Sequence, residues 1–348
     1  MSKKRIAVGL SGGVDSSVAA YLLKKKGWEV VGFTLKFHPQ ENRCCDSESL
    51  EQAERLCHRL KIPHYLLDAS GMFQKKIIDY FIESYLNGQT PNPCAFCNRF
   101  IKFGVFLDKI KSLGIDYLAT GHYARLGRKG KDYFFRKAKD GNKSQEYFLA
   151  LVKPEILKSL VFPLGGYTKP QVKRIAKTKK LLFKERKESQ DVCFVKDKTY
   201  PEFIEENILK PAQYCGDICD LQGKVLGKHK GIYYYTYGQR SGLGIAYKHP
   251  LYVAGIDGRS KAVIVASRQD LERDSFLVAQ PNWFIKPKQR KLRVKVRYNS
   301  REVPCVLEAD GQRLKVRLFE KLDSITPGQV AAFYQKDRLL GGGIILKP

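Results

Sequence analysis

A stretch near the start of the chain decides the fold: Arg5-Ile6-Ala7-Val8-Gly9-Leu10-Ser11-Gly12-Gly13-Val14-Asp15-Ser16-Ser17. Its apolar first half predicts a short buried strand. The paired glycines let the backbone turn tightly and approach a ligand, and residues 16–26 are then predicted as a helix that stops at Gly27. A glycine-rich turn that leads into a helix directs free N–H groups and the positive end of the helix dipole at one point. The stretch therefore predicts an anion site.

The loop lacks the lysine of the common phosphate-binding loop. Its pattern, Ser11-Gly12-Gly13-Val14-Asp15-Ser16, resembles the signature of the PP-loop ATP pyrophosphatases, which cleave ATP between the α- and β-phosphates and adenylate their substrate. The resemblance implies that ATP, with Mg²⁺, binds at Gly9, Leu10, Ser11, Gly12, Gly13, Val14, Asp15, Ser16 and Ser17, and at Leu35 and Gly121. A tight strand-to-helix turn without a ligand is the alternative interpretation.

Composition limits the class of protein. A chain of 348 residues predicts about two or three domains, and its 43% hydrophobic content suits a folded protein. No apolar run approaches the roughly 18 residues of a membrane span, so we expect a cytoplasmic protein without a membrane partner. The net charge of +28 predicts a polyanionic partner, with a generally basic proteome as the alternative.

Alternating patterns predict an α/β fold. We expect strands at 28–37, 62–68 and 116–120 and helices at 46–60, 72–86 and 98–113. Such alternation indicates a doubly wound parallel sheet, in which ligands bind beyond the carboxyl ends of the strands. Leu35, Gly121 and His122 all fall at such ends. For Leu35 and Gly121, a core side chain and a turn glycine remain the alternative interpretations.

Cysteines form the second informative pattern. The chain has nine, an odd number, so catalytic or metal-binding use is favoured over structural disulfides. Cys94 and Cys97 lie in a proline-rich loop, residues 90–99, where Cys97 or Asn98 is predicted to cap the next helix. A thiol at a helix N-terminus should have a lowered pKa, which makes Cys97 a candidate nucleophile. Half of a zinc site is the alternative, although the chain has no second pair with this spacing.

Two later segments each have a functional and a structural interpretation, and their surroundings in the fold decide between the two. Residues 169–187 carry nine Lys or Arg and one acid, Glu185, which predicts a track for phosphates, with a solvated helix face as the alternative. Cys193 lies in an apolar run between Val192 and Phe194, a position that is typical of a core cysteine. Its interpretation changes only if Cys97 lies beside it.

The chain becomes β-rich after about residue 206. Residues 233–244 mix glycine, tyrosine and arginine, which predicts a loop that receives another molecule. In the last segment, cations alternate with apolar residues at 292–297 and 313–318, which predicts a small barrel with a basic outer surface. Tyr298 and Asn299 follow the first basic strand and are candidates to stack on or hydrogen-bond an unpaired nucleotide.

Four motifs together resemble the tRNA-specific 2-thiouridylases. They are residues 11–17, Thr90-Pro91-Asn92-Pro93-x-x-x-Cys97-Asn98, Lys187-x-Ser189-x-x-Val192-Cys193-Phe194, and Tyr235-Thr236-x-Gly238-Gln239-Arg240-x-Gly242-Leu243-Gly244. The resemblance covers nearly the whole chain. It implies an α/β PP-loop domain of the adenine nucleotide α-hydrolase type (1–205), a small β-rich domain that binds tRNA (206–282) and a C-terminal β-barrel (283–348).

In that family, ATP adenylates the C2 oxygen of the wobble uridine, and sulfur from a cysteine persulfide replaces it. Carried over, Cys193 takes the persulfide from a sulfur donor protein, a cysteine desulfurase or a sulfur-relay protein, and Cys97 is the second catalytic thiol, so a Cys97–Cys193 disulfide forms. The implied tRNA contacts are Asn92, Cys94, His122, Lys143, Ser144 and Gln145. Two departures stand out: Cys94 replaces a frequent Asp, and the family's Lys-Asp-Gln-Ser pattern reads Lys143-Ser144-Gln145-Glu146.

Other functions remain open at this point. Cys94, Cys97 and Cys193 could ligate a [4Fe–4S] cluster that carries sulfide. Another adenylating PP-loop ligase would leave the charge and the barrel unexplained, and a non-enzymatic RNA-binding module would leave the loop and the cysteines unused.

Overall fold

The computed structural model describes residues 4–37, 47–181, 192–195, 197–287, 291–323 and 325–347. Its strands are β1 Arg5–Gly9, β2 Glu29–Lys36, β3 His64–Asp68, β4 Tyr117–Ala119, β5 Arg125–Lys129, β6 Asp132–Arg136, β7 Leu160–Val161, β8 Gly216–Cys219, β9 Val225–His229, β10 Tyr252–Asp257, β11 Ala262–Ala266, β12 Arg273–Trp283, β13 Lys291–Lys295, β14 Val303–Asp310, β15 Arg313–Leu322, β16 Val330–Gln335 and β17 Arg338–Ile345. Its α-helices are α1 Val14–Lys25, α2 Ser47–Leu60, α3 Ser70–Phe73, α4 Asp79–Leu86, α5 Pro93–Phe96, α6 Phe106–Ser112, α7 Lys169–Thr178 and α8 Tyr200–Glu206.

The first part of the chain forms the predicted parallel sheet, in the order β3-β2-β1-β4-β7. β1 lies at its centre, between β2 and β4, and its apolar residues are fully buried. Strand order reverses on either side of β1, because the chain runs outward to β3 and then returns to β4. The loop that follows β1 therefore lies at the position where doubly wound sheets bind ligands.

Helices cover both faces of this sheet. α1, α2 and α7 share one core with β1, and the helices between 70 and 112 share the other with β2 and β4. Two of these helices contain π-helical turns, Gln74–Ile78 and Cys97–Val105, which continue α3 into α4 and α5 into α6. Wide turns of this kind are frequent at functional sites. The predicted helices and strands are present, with bounds shifted by a few residues.

The β-rich part of the chain contains two further sheets. One has four strands in the order β10-β11-β8-β9. The other has the order β12-β15-β14-β13-β16-β17-β6-β5, and a β12–β17 pairing closes its first six strands into a barrel. These sheets confirm the predicted fold class.

The hairpin β5–β6 belongs to the barrel sheet, although its residues lie between two strands of the parallel sheet. It joins through the pairs Arg338↔Arg136 and Leu339↔Phe135. Asp337 accepts hydrogen bonds from Arg136 (2.8 Å) and Arg125 (3.5 Å) at the same joint. This hairpin therefore ties the barrel directly to the α/β part of the chain.

Some sequence features fall outside the described residues. They are Cys44, Cys45, the predicted helix start at Asp46, Lys187, Ser189 and the last part of the basic segment 169–187. The domain boundaries at 205/206 and 282/283 stay predictions. Across the described ranges, no helix combines the length and the apolar character that crossing a membrane requires.

Candidate active site

The loop after β1 leaves the start of α1 open to a ligand. Gly13 is the N-cap residue of α1 and provides no side-chain cap. Instead, the hydroxyls of Ser16 and Ser17 donate to the Gly13 carbonyl at 3.1 and 2.9 Å, and the Ser11 N–H donates to Ser16 Oγ at 3.2 Å. These bonds shape the loop and leave the first N–H groups of the helix without a side-chain acceptor. The geometry suits an anion.

Glycine is required at two positions around this loop. Gly12 has φ +69°, and a Cβ there would lie 2.6 Å from the carbonyl oxygen of Ser49 in α2. A Cβ at Gly121, after β4, would lie 2.8 Å from the backbone N of Ser16. Gly121 thus lets the end of β4 pack against the start of α1. Leu35 is buried at the carboxyl end of β2.

A lysine from a distant helix supplies the cation that the loop lacks. Lys169, the first residue of α7, is buried, and its Nζ lies 2.9 and 2.7 Å from the two carboxylate oxygens of Asp15. The Tyr123 hydroxyl donates to the same carboxylate at 2.8 Å. Sequence analysis assigned Lys169 only to a basic segment, because nothing in its local pattern refers to a loop 154 residues away.

The loop that carries Cys97 is built differently from the prediction. The helix starts at Pro93, and its N-cap is Asn92, whose Oδ1 accepts from the Ala95 N–H at 3.1 Å. Cys97 therefore lies one turn inside the helix, and neither Cys97 nor Asn98 is the cap. The prediction of a capping role was wrong because proline is well accepted in a first helical turn, so the helix begins inside the loop.

The predicted lowering of the Cys97 pKa is also wrong. Cys97 is buried, and burial raises the pKa of its thiol to about 12, against a smaller opposite effect of Lys102. The thiols of Cys193 and Cys94 raise that pKa further. Cys94 is open to solvent on one side but surrounded by protein on the others, and this partial burial raises its pKa as well. The free enzyme holds Cys97 as a protonated thiol.

Three thiols from two parts of the chain lie within electrostatic range of one another, since Cys94 and Cys193 both raise the Cys97 pKa and Cys193 raises that of Cys94. All three are free of disulfides. Cys193 is exposed, whereas Phe194 is buried in an aromatic cluster, with ring centroids 5.1 Å from Phe81 and 5.3 Å from Phe203. Among the described residues, no three Cys, His, Asp or Glu side chains are arranged as a metal-ligand set.

Two residues predicted to contact RNA, His122 and Gln145, lie beside the segment that follows β4. The backbone of Gln145 donates to the Tyr123 carbonyl at 2.8 Å, and its side chain accepts from the Tyr123 N–H at 2.9 Å. His122 accepts from or donates to Thr120 Oγ1 at 2.7 Å, and burial holds its pKa well below the usual value, so it is neutral. Gln145 therefore links the segment 143–146 to Tyr123. The Tyr123 hydroxyl in turn bonds Asp15, which connects this segment to the phosphate loop.

The departure from the family pattern at Ser144 and Glu146 creates a local hydrogen-bond network between these two side chains. Ser144 Oγ donates to Glu146 and accepts from the Ala138 N–H at 2.7 Å. Glu146 is buried and also accepts from the Tyr334 hydroxyl of the barrel at 3.2 Å. The Ser144 hydroxyl is thus already engaged within the protein. Lys143 is exposed.

The basic outer face of the barrel is smaller than predicted. Lys291 and Arg293 are exposed, but Lys295 is half-buried, with its Nζ 5.3 Å from the Tyr298 ring and 5.9 Å from the Tyr147 ring, and burial lowers its pKa. The alternation of cations and apolar residues predicts correctly which face of β13 carries Lys295. Residues of the α/β part of the chain, however, cover that position. Tyr298 packs on Phe148 at 4.5 Å, and Asn299 is exposed.

Comparison with known proteins gives a consistent family. The model named "tRNA methyl transferase HUP domain" matches residues 4–197, a PRC-barrel domain model of the same name matches 202–267, and an "Aminomethyltransferase beta-barrel domain" model matches 273–345. The tRNA-specific 2-thiouridylase MnmA of Aquifex aeolicus is 44% identical over 98% of this chain and 98% of its own length. The MnmA 1 of Syntrophus aciditrophicus is 43% identical over 99% and 93%, respectively.

The chain belongs to the tRNA-specific 2-thiouridylase family. The resemblance carried by the four motifs is therefore confirmed.

In this 2-thiouridylase-family chain, barrel residues also shape the cysteine loop, which sequence analysis missed. The Gln329 side chain donates to the carbonyls of Thr90 and Pro91, each at 3.0 Å, and the Thr90 N–H donates to the Pro327 carbonyl at 2.9 Å. The barrel thus holds the loop from which Cys97 extends.

Proposed function

We propose that the protein catalyses the ATP-dependent 2-thiolation of the wobble uridine of tRNA. One observation carries the proposal: a phosphate-type loop and the three neighbouring thiols occur in one chain of the 2-thiouridylase family. The reaction adenylates the C2 oxygen of the uridine, releases pyrophosphate and replaces that oxygen with sulfur.

The loop after β1 and Lys169 form the proposed phosphate site. The open start of α1 suits the α-phosphate, and Lys169 supplies the positive charge for the anion that builds up as pyrophosphate leaves. In the free protein Asp15 holds Lys169 in place, and Tyr123 orients Asp15. Mg²⁺ accompanies ATP and offsets phosphate charge, and Asp15 is the acidic side chain of the loop that can ligate it.

Sulfur transfer uses the two cysteines in turn. Cys193 is exposed, so it can receive sulfur from a donor protein and become a persulfide. The terminal sulfur attacks C2 of the adenylated uridine, and AMP leaves with the former C2 oxygen. Cys97 then attacks Cys193 Sγ and gives up its thiol proton to the departing base, so that 2-thiouridine is released and a Cys97–Cys193 disulfide remains. A thiol reductant must supply two electrons before the next turnover.

The RNA side of the site is formed by Asn92, Cys94, His122, Lys143, Ser144, Gln145, Tyr298 and Asn299. Support comes from their position, since Gln145 touches Tyr123 beside the phosphate loop and Asn92 starts the helix that carries Cys97. The neutral imidazole of His122 can accept a hydrogen bond, whereas an imidazolium could not.

The decisive experiment supplies ATP, a persulfide donor and unmodified tRNA, and analyses the nucleosides. We expect 2-thiouridine at the wobble position and one pyrophosphate released for each base modified. Omission of ATP and the variant Cys193→Ser should each abolish the product. Pyrophosphate release without any thiolated nucleoside would overturn the proposal.

The iron–sulfur route is the alternative mechanism for the same reaction, but the described residues do not arrange the thiols of Cys94, Cys97 and Cys193 as a metal-ligand set. Anaerobic purification with an iron count separates the two. The persulfide route predicts that Cys94→Asp, which removes one thiolate ligand, keeps most of the activity in an iron-free preparation.

A further inference from the structure

A basic groove lies between α1 and α7, away from the proposed active site. It encloses about 300 Å³ and is lined by Tyr21, Leu22, Lys25, Tyr167, Arg174, Ile175, Thr178 and Lys179. No acidic side chain lines it. We propose that this groove binds the phosphate backbone of the tRNA outside the target base, as a second contact that adds affinity without taking part in the chemistry.

The cations of the groove are available to a ligand. Lys25, Arg174 and Lys179 are exposed, and none of them forms an ion pair with another residue that the structure describes. Their like charges line one groove, so binding of an anion there is electrostatically favourable. In a chain of net charge +28, this groove is one of the places where cations converge without acids.

Helix dipoles explain the placement of only some of the cations that line the groove. Lys25 lies in the last turn of α1, where a cation is stabilised by the negative end of the helix dipole. Arg174 lies in the middle of α7, however, where the dipole has no such effect. Tyr21 and Tyr167 add two half-buried phenol groups to the walls, and phenol groups donate hydrogen bonds to phosphate oxygens in nucleic-acid complexes.

The location of the groove favours the RNA that enters the active site, rather than an acidic protein, as its ligand. α1 and α7 both begin at the phosphate loop, where Asp15 and Lys169 touch, and they pack side by side. At 1.5 Å per residue, Lys25 and Lys179 lie about 15 Å from that contact. An RNA whose target base occupies the active site can therefore reach the groove with the backbone of the adjoining stem. The inference rests on the proposed function only in naming tRNA as that RNA.

The test reverses the charge of the groove and of a matched control. Lys25→Glu with Arg174→Glu changes the groove, and Lys109→Glu with Lys111→Glu makes the same change on exposed lysines of α6. We expect the groove variant to weaken the binding of full-length tRNA at least about tenfold and to reduce its salt slope by about two, with kcat at saturating tRNA unchanged. The α6 variant should bind like the unaltered protein.

Equal losses in both variants, or an unchanged salt slope in the groove variant, would overturn the inference. The milder pair Lys25→Gln with Arg174→Gln removes the same two phosphate contacts without adding repulsion, so it should reduce the salt slope by about two with a smaller loss of affinity, and it serves if the reversed variant does not fold. The same preparations separate the two proposals. If the unaltered protein forms no 2-thiouridine but the groove variant still loses RNA affinity, the proposed function fails and the groove stands.

Discussion

Lys169 shows at the residue scale how a single side chain completes a site. It is buried, it reaches both oxygens of Asp15, and it comes from the first turn of α7. A buried ammonium ion is costly unless it is paired. Asp15 provides this pairing in the free protein, and we propose that the phosphates of ATP share it in the complex.

Removing this charge should affect adenylation more than binding of RNA. For Lys169→Met we expect tRNA-dependent pyrophosphate release to fall by about 100-fold to 1,000-fold, because one preorganised electrostatic contact is lost. Steady-state release at saturating tRNA measures it. Lys177→Met, an exposed change on the same helix, is the control and should retain normal release. Equal rates for the two variants would remove Lys169 from the proposed machinery.

The raised pKa of Cys97 predicts the pH dependence of its reactivity. Burial raises that pKa to about 12, so the thiolate fraction in the free protein should grow about tenfold per pH unit from pH 7 to 9. Alkylation of Cys97 by iodoacetamide, followed by peptide mass spectrometry, should show this slope without a plateau. A plateau below pH 8 would mean that the thiol is already ionised and would contradict the raised pKa.

At the scale of elements, the segment that follows Cys193 is held at two points. Phe194 packs among the rings of Phe73, Phe81 and Phe203. Downstream, Glu205 of α8 accepts from the hydroxyls of Tyr233 and Tyr234 at 3.2 and 2.8 Å. The tyrosine-rich motif therefore anchors α8, in addition to any contact with RNA. Cys193 is thus an exposed residue that directly precedes a buried anchor.

Weakening the packing of Phe194 should slow sulfur transfer without slowing adenylation. Phe194→Leu removes the ring from the cluster at a cost of roughly 1–2 kcal/mol of stability. We expect pyrophosphate release to remain while formation of the Cys97–Cys193 disulfide after one turnover slows by about tenfold. Phe319→Leu, an exposed change on β15, should alter neither rate. If both half-reactions of Phe194→Leu fall together, the residue serves stability alone.

At the scale of the whole molecule, the barrel supports the proposed active site. Gln329 and Pro327 hold the loop at 90–91, Tyr334 holds Glu146, and the hairpin β5–β6 joins the two parts of the chain. Because these bonds fix the start of the helix that carries Cys97, a change in the barrel should reach the thiols through the loop.

Gly328 provides the sharpest test of this coupling. It has φ +91°, and a Cβ there would lie 2.9 Å from the Thr90 carbonyl oxygen, whereas Gly311 has φ +57° with nothing within 4 Å. Alanine at either position costs about 1–2 kcal/mol of backbone strain. Gly328→Ala should in addition lower the rate of sulfur transfer, which Gly311→Ala should not. Thermal unfolding and thiolation assays measure both effects, and equal activities would deny the coupling.

Sequence patterns predicted the elements and the loop because both depend on neighbouring residues. Alternating hydrophobicity marks the strands of the parallel sheet, and Ser11-Gly12-Gly13 marks the turn after β1 whatever surrounds it. The four motifs were likewise enough to name the family. The same local view misplaced the helix cap, because it treated the prolines as loop residues, whereas Asn92 is the N-cap and Pro93 occupies the first turn.

The sequence by itself thus determined the fold class, the phosphate loop and the family. Only the tertiary structure decided that Lys169 completes the loop, that burial raises the Cys97 pKa, and that Lys295 is covered. The reason is physical: hydrophobic periodicity and turn chemistry act between residues a few positions apart, whereas burial and electrostatic partners depend on which distant segments pack together. Charge and reactivity at this site are therefore properties of the packed chain.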